Sequence, residues 1–70
     1  MKVILTSHTK QRMFERGITL SQIRETTELP DYTINKGDKI EAYKKINNRT
    51  LKVVYVDKGK FIKIITVIWK

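Results

Sequence analysis

The spacing of apolar positions changes once along this chain, at Pro30: helical periods precede it and alternation follows it. Lys2 to Leu5 is a short β-branched and aliphatic run that reads as a strand and ends at Thr6-Ser7, either of which can cap a helix through its hydroxyl. A helix is predicted from about His8 to Arg16, closed by Gly17, because the residue after a helix often takes the left-handed conformation that glycine adopts at little cost. A second helix starts at once. Thr19 and Gln22 form a Thr-x-x-Gln capping box, and Ile18 before the cap can staple onto Ile23. Leu20, Ile23 and Thr27 give this helix a narrow stripe expected to be buried, and the segment stops before Pro30, which disfavours helix at Leu29.

Asp31 to Asn35, Lys39 to Ile46, Thr50 to Asp57 and Phe61 to Trp69 read as strands separated by Lys36-Gly37-Asp38, Asn47-Asn48 and Lys58-Gly59. The fold class is therefore α+β: a short N-terminal strand, two helices and a four-stranded antiparallel meander with the helices on one face, a single domain over residues 1–70. A two-residue loop at Asn47-Asn48 pairs Ile46 with Arg49, Lys45 with Thr50, Tyr43 with Lys52 and Glu41 with Val54. One face then holds Ile40, Ala42, Leu51, Val53 and Tyr55, apolar enough to receive the helices. Carried through Lys58-Gly59, the same register adds Ile62, Ile64 and Ile68 to that face, and sends Phe61, Lys63, Ile65, Val67 and Trp69 to the other. The second face mixes Tyr43, Lys45, Lys52, Lys63 and Trp69 with aliphatic side chains, which suits phosphate contact, base stacking or a protein partner. Its plainer reading is a charged outer surface that keeps a sticky sheet from pairing.

Composition narrows the chemistry. The 70 residues carry 15 Lys and Arg against 7 Asp and Glu, a net charge of +8, and no Cys. Thiol nucleophiles and zinc ribbons are excluded, and one His cannot supply a two-histidine acid/base pair. No phosphate-binding glycine loop is present, so a nucleotide cofactor is not expected, and no metal-binding residue is assigned. No apolar run reaches the roughly 18 residues of a membrane span, and the first eight residues turn polar too soon for a signal peptide, which points to a cytosolic protein without a membrane partner. The positive charge points to a polyanion, because counterion release from phosphates drives non-specific nucleic-acid binding; its bland alternative is solubility.

His8, Arg12 and Arg16 recur every four residues, so successive members are offset by about 40° and form one cationic ridge on the first helix, with Glu15 on the same flank. Met13 and Phe14 are its only clear apolar anchors. Like charges at this spacing lower helix stability. Either the arginine stems pack over the sheet edge and pair with Glu15 or a carbonyl, or the ridge receives a phosphate, with His8 near the pKa at which it can move a proton.

The string His8-x3-Arg12-Met13-x-Glu15-Arg16-Gly17-Ile18, followed by a capped helix, a Pro, short strands and Ile65-Thr66-Val67-Ile68-Trp69, resembles a family of small bacterial and archaeal domains of unassigned function. That family is similar in layout to the RelE, ParE and BrnT toxins of toxin–antitoxin modules. The resemblance implies helices over one face of a curved antiparallel sheet, a metal-independent endoribonuclease acting on mRNA, often ribosome-bound, and an antitoxin partner that covers the basic surface. ParE-type relatives target gyrase instead.

For such a nuclease, attack of a 2′-OH on the adjacent phosphate needs a base, cations for the developing charge and an acid for the leaving oxygen. His8 suits the base or acid, Arg12 and Arg16 the charge, and Glu15 a second proton carrier if its pKa were raised. Tyr43 and Trp69 would stack bases while Lys45, Lys52 and Lys63 hold the backbone. Two rivals stand beside this reading: a non-catalytic RNA- or DNA-binding module, and an interaction domain using a Phe61-Ile65-Val67-Trp69 stripe toward an antitoxin or in a homodimer. If the first helix packs on the core face, the ridge and the lysine face lie on opposite sides and cannot form one active site.

Overall fold

A computed structural model describes residues 2–70; Met1 lies outside the described residues. In chain order the elements are β1 (Lys2–Leu5), α1 (Ser7–Arg16), α2 (Leu20–Glu28), β2 (Tyr32–Lys36), β3 (Lys39–Ile46), β4 (Arg49–Asp57) and β5 (Phe61–Trp69). The class is α+β as expected, but the sheet has five strands in the order β1-β5-β4-β3-β2. The predicted meander supplies four of them. The fifth, β1, adds beside β5 in parallel, with Lys2 opposite Phe61 and Leu5 opposite Ile64, so the sheet is mixed.

Local chemistry sets the helix ends. Thr6 caps α1 by accepting the Thr9 backbone N–H at 3.1 Å, which starts the helix at Ser7, and Gly17 closes it at φ 64°. The capping box of α2 is complete: Gln22 N–H donates to Thr19 Oγ1 at 3.1 Å, and Thr19 N–H donates to Gln22 Oε1 at 3.0 Å. Ile18 and Ile23 are both buried, as the staple requires. The buried stripe of α2 differs from expectation. It is Ile23 and Thr26; Leu20 is 40% exposed, because the staple fixes which side of the helix turns inward. Thr26 tolerates burial by donating its hydroxyl to the Gln22 carbonyl at 2.8 Å.

The β3–β4 hairpin has the predicted register, Ile46 with Arg49 through Glu41 with Val54, and Asn47 takes the positive φ of 59° that its tight loop needs. Between β4 and β5 the register slips. Tyr55 pairs with Ile64 and Val54 with Thr66, which leaves Ile65 as an extra residue on β5. Beyond that bulge every side chain changes face relative to the sequence-based register: Val67 becomes fully buried and Trp69 packs on the core, while Ile68 turns to the open side.

The core is one cluster between sheet and helices, built from Ile18, Ile23, Ala42, Leu51, Val53, Tyr55, Ile62, Ile64 and Val67, with Val3, Leu5 and Met13 packed around it. Helix α1 lies against β5, and α2 against β3 and β4. Both helices therefore cover one face, and the other is left uncovered. Phe14, expected as an anchor, is 90% exposed, while Met13 packs against the core. Among the described residues no helix is long and apolar enough to cross a membrane.

Candidate functional site

Two cationic regions emerge, one on each side of the sheet. On the helix side, the ridge of α1 is largely occupied by internal contacts. Among the described residues strand β1 pairs with β5 from Phe61 as far as Ile64, so the carbonyls from Ile64 onward need other donors. Helix α1 provides them. The Thr9 hydroxyl, fully buried, donates to Ile64 O at 3.2 Å and accepts from the Thr6 hydroxyl at 3.0 Å; Arg16 Nη1 donates to Val67 O at 2.6 Å. In return the Trp69 indole N–H donates to the Arg16 carbonyl at 2.8 Å, satisfying a group at the helix C-terminus. The Arg49 guanidinium lies over the other side of this corner, 4.4 Å from the Trp69 ring centroid.

Arg12 is bound to Glu15, Nη1 to Oε1 at 2.9 Å, and Gln11 donates to the second carboxylate oxygen at 3.1 Å. The Arg12 hydrogen bond, with help from Gln11 and the Arg16 charge, holds the Glu15 carboxyl below its usual range. A second proton carrier needs the reverse shift, so Glu15 is not placed for that role. His8 stands exposed in the first turn of α1. Of the four ridge candidates, it alone carries a side chain not engaged with Glu15 or β5.

The uncovered face is organised differently. Cross-strand partners share a face, and the register puts six lysines on it, Lys2, Lys36, Lys39, Lys45, Lys52 and Lys63, against the single carboxylate Glu41. Glu41 is already engaged. Its Oε1 accepts the Tyr43 hydroxyl at 3.1 Å, and Lys52 Nζ lies 3.6 Å from its Oε2. The Tyr43 ring stacks on Tyr32 with centroids 4.6 Å apart and planes 12° from parallel, and Lys52 Nζ sits 5.8 Å from the Tyr43 centroid on this same face. Burial and the Glu41 hydrogen bond push the Tyr43 phenol up, so it stays a neutral donor. Tyr43 is thus buried beneath its neighbours, whereas Tyr32, on the edge strand and 55% exposed, presents ring surface to solvent.

The structure consequently brings Tyr43, Lys45, Lys52 and Lys63 together and separates them from His8, Arg12, Glu15, Arg16 and Trp69. Trp69 leaves the lysine face because of the bulge at Ile65, and the Phe61-Ile65-Val67-Trp69 stripe does not exist as one exposed surface: Val67 is buried and Trp69 faces the helices. Tyr32, Lys2, Lys36 and Lys39 are members of the face that sequence reasoning missed. The Gly37-Asp38 turn, which pairs Lys36 with Lys39, was the signal that could have placed the last two.

A family model described as a domain of unknown function, DUF4258, matches residues 5–69. No curated protein and no solved structure matches the chain.

Proposed function

We propose that this chain, which belongs to the DUF4258 family of domains of unknown function, binds single-stranded RNA on the uncovered face of its sheet. The observation that carries the reading is the partition of charge there: six lysines and one carboxylate among the described residues, with that carboxylate paired with Lys52 and hydrogen-bonded by Tyr43. Lysines at strand spacing can follow a phosphate backbone, each contact releasing counterions, and the solvent-facing ring of Tyr32 offers a base a stacking surface already braced from behind by Tyr43. Single strands fit better than duplexes, because stacking on a tyrosine needs an unpaired base.

The test is a salt titration of binding to a short unstructured RNA. The expected log–log slope is steeply negative, and a Lys45, Lys52 and Lys63 triple Gln variant should flatten it by about 2, at roughly 0.7 per phosphate contact. A slope near zero in the wild type rules the reading out.

A second reading, cleavage of the bound RNA by a RelE/BrnT-like toxin, is favoured by one specific observation, the exposed His8 at the start of α1. In that reading His8 is the proton carrier for 2′-OH attack, Arg12 supplies charge while tied to Glu15, and an antitoxin covers the lysine face. Incubation with mRNA in EDTA decides it. Products that appear with wild type and vanish with His8→Ala support cleavage; intact RNA leaves binding alone.

A further inference from the structure

A cavity of about 320 Å³ opens on the helix side, at the end of the core away from Trp69, lined by Val3, Thr27, Glu28, Tyr55, Asp57 and Ile62. Its chemistry opposes that of the rest of the surface. In a chain of net charge +8, the charged residues among its described lining are two carboxylates, Glu28 and Asp57, and among the described residues neither forms an ion pair. Asp57 is fixed in place by one oxygen, Oδ1, which accepts the Gly59 N–H at 2.8 Å and leaves Oδ2 free.

A second feature of the cavity is independent of the acids. Tyr55 is only 9% exposed, yet its hydroxyl makes no hydrogen bond to any described residue. Among the described residues no buried polar side-chain atom lacks a partner, so this hydroxyl reaches solvent, and Tyr55 is one of the residues that line the cavity. Burial and the neighbouring Asp57 charge push the phenol up, which keeps it protonated, with its lone pairs available to a donor. Val3 and Ile62 supply an apolar floor.

We propose that this cavity binds a cationic alkyl group: an ammonium or guanidinium that donates to Glu28, Asp57 and the Tyr55 hydroxyl, carried on a short apolar stem lying over Val3 and Ile62. Phosphates are repelled by the same carboxylates, so the site is distinct from the RNA face and stands whether or not RNA binds there. The volume lies at the small end of ligand pockets and suits a four- or five-carbon stem. Such a group comes from a free amine or from a Lys or Arg side chain of a partner protein.

Titration of the full chain by isothermal calorimetry and ¹H–¹³C NMR, with 1,4-diaminobutane, agmatine, N-acetyl-lysine-methylamide and N-acetyl-arginine-methylamide, tests the proposal, with 1-butanol as the neutral control. The expected result is saturable shifts of the Ile62 and Val3 methyls and the Tyr55 ring with the cations and none with 1-butanol. Glu28→Gln and Asp57→Asn should each weaken binding about 10-fold, and Tyr55→Phe several-fold. Free amines binding at least 10-fold tighter than the blocked amino acids assign a small-molecule ligand; equal or weaker binding assigns a protein side chain. No saturable shift with any cation, equal shifts with 1-butanol, or affinity unchanged in Glu28→Gln, an exposed position whose replacement leaves the fold intact, overturns the proposal.

Discussion

The two cationic regions of this small domain use different residues for different ends. At the α1 corner the cations are arginines, and three of them are engaged within the protein: Arg12 with Glu15, Arg16 with the Val67 carbonyl, Arg49 over the Trp69 ring. On the open face of the sheet they are lysines, of which, among the described residues, only Lys52 is paired with a carboxylate there. The planar guanidinium fork can close an unfinished strand edge and stack on an indole, tasks for which an ammonium lacks the geometry. Lysines remain solvated and free to exchange water for phosphate. A net charge of +8 therefore contains a structural share and a share left open to solvent.

If that division is right, substitutions at the corner act on stability and substitutions on the face act on binding. The largest effect is expected from Trp69→Ala, which removes a ring packed on the core, its bond to Arg16 and the Arg49 stack together, at a cost of about 3 kcal/mol in urea unfolding. Arg16→Ala should follow with about 1–3 kcal/mol, because the Val67 carbonyl loses its donor. Neither variant should change the salt slope of RNA binding once measured on folded protein. A change in slope without a change in stability would place the corner in the binding surface and break the contrast.

The intermediate effect lies on the other side. Lys63 is exposed, on the open face between Ile4 and Val56, and makes no ion pair with a described residue. Lys63→Gln should leave stability within about 0.5 kcal/mol and flatten the RNA salt slope by about 0.7. Tyr32→Ala should weaken binding without altering the slope, since stacking releases no counterions.

How far the sequence revealed this division depends on where each constraint is local. The Thr19-Gln22 box and the Asn47-Asn48 loop act within a few residues, so α2 and the β3–β4 register were readable, and with them the placement of Tyr43, Lys45 and Lys52 on one face. The segment Phe61 to Trp69 is apolar in both frames, Ile62-Ile64 in one and Ile65-Val67-Trp69 in the other, and contains no glycine to mark a bulge. Alternation alone cannot reveal that Ile65 is extra, and for that reason it places Trp69 on the wrong side. The pairing of β1 with β5 joins the two ends of the chain and has no local signature at all. Without it, the need for Thr9 and Arg16 to finish the β5 edge is invisible, and an arginine used in packing looks like an arginine available for catalysis.

The smallest expected effect separates the arginines from one another. Glu15 has its carboxyl held below the ordinary value of 4.5, chiefly by the Arg12 hydrogen bond, with the Arg16 charge the weakest of the causes. A depressed carboxylate contributes stability that is fully present above its unfolded pKa and is lost as pH falls through the folded value. Wild type should therefore exceed Glu15→Gln by a constant small margin near neutrality, with the two curves converging in acid below about pH 4.5. Because the pair is solvent-exposed, salt should shrink the margin. Arg12→Ala should remove most of this acid window, the Gln11 hydrogen bond keeping a remnant, whereas Arg16→Ala should lower stability at every pH and leave the window largely in place. If Arg16→Ala also erased the window, the Arg16 guanidinium would be serving Glu15 as much as Val67, and its role at the strand edge would have to be shared.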